Sequence, residues 1–268
     1  MLKKLWTWAL PLLMLTASVS PVAAQSRGGD IGEQMEREYG VLSRNTGEGR
    51  RLNDQFDQVV DRIVDAVNAR GRRQGEAGNF RLRSAKILGG RSEKHDQVVN
   101  AFALPDGRIY VTLGLMRAVQ NSPRAEDELA FVVGHEVTHV TERHSAHQQR
   151  EALKAGLFGV LLGTVTRSRE AATLGRGLGA AYVSSFSRKD EYEADEGGLL
   201  AMKRAGYDLN AAISMLRRLA AQGESRNRMV NGWFGSHPLT ENRIDRIREM
   251  IDRIENRRGE RRGLRSTR

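Results

Sequence analysis

Residues 123–150 read PRAEDELAFVVGHEVTHVTERHSAHQQR. Pro123 and the acidic run Glu126, Asp127 and Glu128 mark a helix start, because carboxylates are favoured beside the unpaired N–H groups of a first turn. Leu129, Val132, Val133, Val137 and Val140 follow at spacings of three and four, so a helix is expected to about Arg150. Within it His135 and His139 stand four apart, about 40° around the axis, and can face one point. Glu136 lies between them. Two imidazoles and a carboxylate at this spacing suit a metal ion with a general base beside its water.

A catalytic metal wants a third protein ligand and an open position. A third His on a continuation of the same helix is ruled out, since Glu142 and Ser145 occupy the corresponding positions. The run Ser187-Arg188-Lys189-Asp190-Glu191-Tyr192-Glu193-Ala194-Asp195 offers a carboxylate from a second helix instead. Glu191 and Asp195 are four apart on one face, so Glu191 can ligate while Asp195 accepts a proton from a ligating imidazole. Glu193 is turned about 200° away and reads as solvated or structural. On the same wheel His144 lies about 180° from His135 and His147 about 120°, which makes both surface residues, and His95 sits in a polar turn. The chain has no cysteine, so any transition metal must take His and carboxylate ligands. That suits zinc, although manganese and iron also fit the ligand type.

Outward from this core, Ile31 to Leu42 and Leu52 to Ala69 show helical periodicity, the second through Phe56, Val59, Val60, Ile63, Val64 and Val67, with Gly71 as its stop. Phe80 to Leu88, Val98 to Leu104 and Ile109 to Leu113 read as strands, the last two joined by the turn Pro105-Asp106-Gly107. Ala152 to Phe186 is rich in Gly, Ala and Leu but broken by Arg167, Arg169, Glu170 and Arg176, which indicates a helical hairpin rather than a membrane span. Helices are expected from about Arg188 to Ala205, from Ala211 to Ala221, and from Glu241 to about Ile254, where Ile244, Ile247, Met250, Ile251 and Ile254 form a stripe. The expected fold class is α+β and mostly helical, with a small antiparallel sheet beside the metal-binding helix.

The N-terminus has a basic stretch (Lys3, Lys4), an apolar stretch from Leu5 to about Leu15, and the small-residue ending Pro21-Val22-Ala23-Ala24. This is the layout of a cleavable secretory signal over residues 1–24, and a lipoprotein signal would need a cysteine. Residues 25–255 form the expected catalytic domain. The precursor's net charge of +10 becomes +8 without the signal. Residues 256–268, NRRGERRGLRSTR, carry six Arg and one Glu and read as a disordered basic tail. Such a tail could touch an anionic membrane surface, and an exported address argues against nucleic acid.

Together, HEVTH, SRKDEYEAD, SHPLTENR and NAFALPDGRIYVTLGLM resemble the HtpX, BepA and CAAX prenyl protease family of gluzincin zinc metallopeptidases, over roughly Ile31 to Ile254. The resemblance implies a zincin-like domain, one Zn2+, the ligand set His135, His139 and Glu191, Glu136 as base and Asp195 behind a ligand. It also implies contributions from His237 and Arg243 at the active-site rim, where His237 either stabilises the oxyanion or occupies the open metal position at rest. The chain departs from HtpX and the prenyl proteases in lacking their membrane spans and from BepA in having no room for a helical repeat domain, so a minimal periplasmic member is expected. The expected activity is endoproteolysis of unfolded or misfolded envelope proteins. The substrate would add as a strand near Asn100 to Leu104, through Asn100, Ala101, Phe102 and Ala103, or near Ile109 to Leu113. The rival expectation is a zinc-stabilised chaperone or binding module that grips extended chains without cleaving them.

Overall fold

The structure is a computed structural model that describes residues 32–74, 80–144, 186–224, 233, 237 and 242–266. The expected signal, His147 and the stretch from Ala152, apart from Phe186, lie outside these. Helix α1 covers residues 32–39. It is followed by α2 (Gly47–Gln74), β1 (Ser84–Leu88), α3 (Glu93–Asp96), β2 (Ala101–Ala103), β3 (Arg108–Thr112), α4 (Leu113–Gln120) and α5 (Ala125–Thr141). The remaining helices are α6 (Arg188–Ala205), α7 (Ala211–Glu224) and α8 (Arg243–Ser266). Helix α2 passes through Gly71, and α8 runs on through most of the segment expected to be a disordered tail. Among the described residues no helix is long and apolar enough to cross a membrane.

The centre of the fold is α5, which is buried continuously from Glu128 to His139. A helix that is apolar on most of its circumference must be covered on most sides, and α2, α6, α7 and β2 all pack against it. Helix α2 contributes Phe56, Val59, Val60 and Ile63, each fully buried, and α8 contributes Ile247, Met250 and Ile251 as its stripe predicted. Glu128 is the exception to the solvated acidic first turn: it is fully buried, accepting from Ser214 at 2.7 Å and from Arg218 at 2.9 Å.

The sheet has the order β1-β3-β2 and is mixed rather than antiparallel throughout. β2 and β3 form the expected hairpin, pairing Ala101 with Val111 and Ala103 with Ile109. β1 pairs parallel to β3, from Ser84 with Arg108 to Leu88 with Thr112. The chain between β1 and β3 spends α3 and β2 on returning to the same end, which makes the parallel pairing possible. Ile87, Ile109 and Val111 face the main core. Leu88, Leu104 and Tyr110 face the other side, packed by Met35 and Tyr39 of α1.

Helix α6 starts in a capping box: Asp190 N–H donates to Ser187 Oγ, and Ser187 N–H to Asp190 Oδ2. It stops at Gly206, whose φ of 81° is easily reached without a side chain. Its approach to α5 depends on glycine. A Cβ at Gly198 would lie 3.0 Å from His135 N, and one at Gly134 3.0 Å from Gly198 Cα. The two helix backbones therefore nearly touch beside His135, which brings carboxylates of α6 within reach of the imidazoles of α5.

Candidate metal centre

His135, Glu136 and His139 on α5 and Glu191 and Asp195 on α6 are all buried. The two Nε2 atoms of His135 and His139 lie 3.0 Å apart. Glu191 Oε1 is 3.4 Å from His139 Nε2, and Oε2 is 3.6 Å from His135 Nε2. His237 Nδ1 completes the group, 3.1 Å from His135 Nε2 and 2.9 Å from Glu191 Oε1. Four donor atoms bound tetrahedrally to zinc at about 2.0–2.1 Å would stand about 3.3 Å from one another, so the spacing fits one metal ion.

The donor chemistry fits as well. Asp195 Oδ1 lies 3.0 Å from His135 Nδ1, and a carboxylate accepts, so that nitrogen carries the proton and Nε2 presents a lone pair to the cluster. Burial holds the His135 imidazole well below its usual pKa. His139 is likewise pushed down to about 4 by burial, against the opposing pull of Glu191. Burial alone would raise the Glu191 carboxyl, but the imidazoles of His139, His237 and His135 beside it carry it well below the usual carboxylate range. Neutral imidazoles and an ionised carboxylate are the forms that ligate a metal.

Arg243 lies behind this group. It is 1% exposed, so it is a floor residue and not part of the rim. Its Nε and Nη2 each donate to Asp195 at 2.8 Å, and its Nη1 lies 2.8 Å from Glu191 Oε2. Burial works against the cation, but Asp195, Glu191 and Glu136 outweigh it and raise its pKa.

Three neighbours escaped the sequence reading. The Trp233 indole Nε1–H donates to Glu136 Oε1 at 2.9 Å, and His237 Nε2 meets the same oxygen at 3.2 Å. Phe186 stacks on His139 with centroids 3.9 Å apart. His144, expected on the surface, is buried, its Nδ1 3.0 Å from His139 Nδ1. The helical wheel failed because α5 ends at Thr141 and Arg143 takes a φ of 58°, which folds His144 back towards His139. The break could not be read from residue types, since Arg is not a usual left-handed residue. His95 is partly buried, stacked on Tyr39 at 4.6 Å.

Residues 85–251, more than half of the chain, match the sequence model of Peptidase family M48. The chain belongs to peptidase family M48. It is 34% identical over 145 residues to the mitochondrial metalloendopeptidase OMA1 of Arabidopsis thaliana, covering 54% of this chain and 28% of that protein. To the beta-barrel assembly-enhancing protease of Escherichia coli (strain K12) it is 31% identical over 165 residues, covering 58% and 33%. The mitochondrial metalloendopeptidase OMA1 of Schizosaccharomyces pombe is 32% identical over 157 residues, 58% of this chain and 44% of that protein. The chain therefore spans less than half the length of each of these M48 relatives. The resemblance carried by its sequence motifs is borne out at the level of the family.

Proposed function

We propose that this M48 chain is an exported zinc-dependent endopeptidase that cleaves extended segments of unfolded or misfolded proteins in the periplasm. The observation that carries this reading is the convergence of His135, His139 and Glu191 on one point, with the Glu136 carboxylate beside them. The order of basic, apolar and small residues in 1–24 supports export. Bound zinc would supply a Lewis acid that lowers the pKa of a water and polarises the scissile carbonyl. Glu136 accepts the water's proton and passes it to the leaving amine. Its Oε1 is engaged by Trp233 and His237, so Oε2 is the oxygen that handles the proton. Burial raises the Glu136 carboxyl, partly offset by His237 and Trp233, which brings the base closer to neutral pH.

His237 serves as the resting cap, because Nδ1 sits where a fourth donor would and must withdraw before water or a carbonyl can enter. Arg243 holds the ligands rather than the oxyanion, because its guanidinium is committed to Asp195 and Glu191. Substrate adds at β2. β3 is the central strand and has no free edge, which removes Ile109 to Leu113 from consideration. Thr112 N–H donates to Asn100 O and Leu104 N–H to Arg108 O, so even-numbered residues face β3 and the backbones of Ala101 and Ala103 face outward. Phe102 and Asn100 then frame that edge.

The test is metal analysis of the purified chain together with digestion of an unfolded protein by wild type and Glu136→Gln. Stoichiometric zinc with cleavage only by wild type is expected. Zinc binding without cleavage by wild type would favour the non-catalytic gripping module.

A further inference from the structure

The two ligating imidazoles need the same thing from the protein: a partner that holds the proton on Nδ1 and leaves Nε2 bare for the metal. His135 has Asp195. The partner of His139 is another imidazole, His144, whose Nδ1 stands 3.0 Å away, while its Nε2 stands 3.1 Å from Glu193 Oε2. With both imidazoles neutral and His139 ligating through Nε2, one arrangement of protons satisfies both contacts. Glu193 is an acceptor, so His144 carries its proton on Nε2 and its Nδ1 has a lone pair. His139 Nδ1–H must then be the donor, and its Nε2 is left with the lone pair that faces His135 and Glu191.

We propose that His144 is a positioning residue for the metal centre, and that Glu193 at the far end of this chain fixes its tautomer. Glu193 extends from α6 at the rim, 45% exposed, and is also 3.5 Å from Lys189, so the chain runs from the ligand to the protein surface. Asp190 Oδ1 is more distant, 3.9 Å from His144 Nε2, and its Oδ2 is occupied by the helix cap. Glu193 is thereby a support for the second imidazole, as Asp195 is for the first.

The inference rests on His139 being a metal ligand, and its test reads metal affinity rather than proteolysis. Zinc dissociation constants of the full chain are measured by competition with a chromophoric chelator. His144→Leu fills the space without an acceptor and should weaken zinc binding roughly 10- to 100-fold, the usual effect of losing such a partner. His144→Asn sets a carbonyl oxygen near the position of Nδ1 and should restore affinity to within about fivefold of wild type. Because His144→Leu could also disturb folding, Glu193 supplies a surface test. Glu193→Ala should weaken binding about fivefold, while Glu193→Gln, which keeps an acceptor oxygen, stays within about twofold. Wild-type affinity in His144→Leu, equal losses in His144→Leu and His144→Asn, or a second bound zinc that both His144 variants abolish would each overturn the proposal. Failure of the wild-type chain to bind zinc would instead overturn the ligand assignment beneath it.

Discussion

The indole of Trp233 donates to the carboxylate of Glu136 at 2.9 Å across 97 residues of sequence, and so holds one of its oxygens still. Because Glu136 is not in the ligand set, Glu136→Gln should keep near-stoichiometric zinc and lose at least about 100-fold in kcat. Trp233→Phe removes a hydrogen bond that favours the ionised carboxylate, so the acidic limb of the pH–rate profile should move to higher pH with zinc retained. An unmoved limb would show that the indole serves packing alone.

Glu191→Gln should sharply reduce zinc affinity, because an amide is a poor replacement for an ionised ligand. Arg243→Met should act on the fold as well, leaving Asp195 and Glu191 buried without their cation at a cost of about 3–5 kcal/mol. Urea denaturation of the metal-free variants separates the two effects: the Arg243 variant should lose stability even without metal.

Gly198→Ala tests the approach of α5 and α6. The added methyl would press on His135 N, so it should cost about 1–3 kcal/mol and weaken zinc binding through the displaced Glu191. Unchanged melting and affinity would mean that the helices can separate without loss.

Metal-free protein should become less stable as pH falls from about 6.5 to about 4. In that interval the unfolded chain takes up a proton at His139 that the folded chain, with its pKa near 4, refuses. His135 acts in the same direction, and Glu191, ionised in the fold, adds a further loss once the pH enters the usual carboxylate range, while Glu136 and Asp195, both raised by burial, oppose the loss by taking up protons in the fold. Stability from His139, His135 and Glu191 is complete above pH about 6.5. Urea midpoints of chelator-treated wild type and His139→Gln between pH 8 and 4 isolate the histidine, and equal pH profiles for the two would contradict the burial of a neutral imidazole at His139.

His237→Ala should retain zinc, with modestly lower affinity, and raise the basal rate on an unfolded substrate, since it vacates the fourth corner of the ligand set. A fall of roughly ten- to a thousandfold in kcat would assign His237 to the oxyanion instead.

The residues of the candidate metal centre were legible because they are separated by one helical turn. His135 and His139, and Glu191 and Asp195, obey a period set by the backbone alone, so their shared faces follow from numbering. The apolar stripes of α2, α5 and α8 were legible for the same reason, and they determined a mostly helical domain around α5. What surrounds the ligands obeys no such period. The parallel pairing of β1 depends on where the chain goes after it leaves the strand. The buried place of Arg243 depends on α8 crossing behind α6, and Trp233 meets Glu136 only when the core is closed. His144 is the clearest case, because a single positive φ at Arg143 turned a residue from the far side of a helix into the partner of His139. Local periodicity chose the candidate ligands. Long-range packing chose their supports, because the free energy that seats a buried polar group comes from partners distant in the chain.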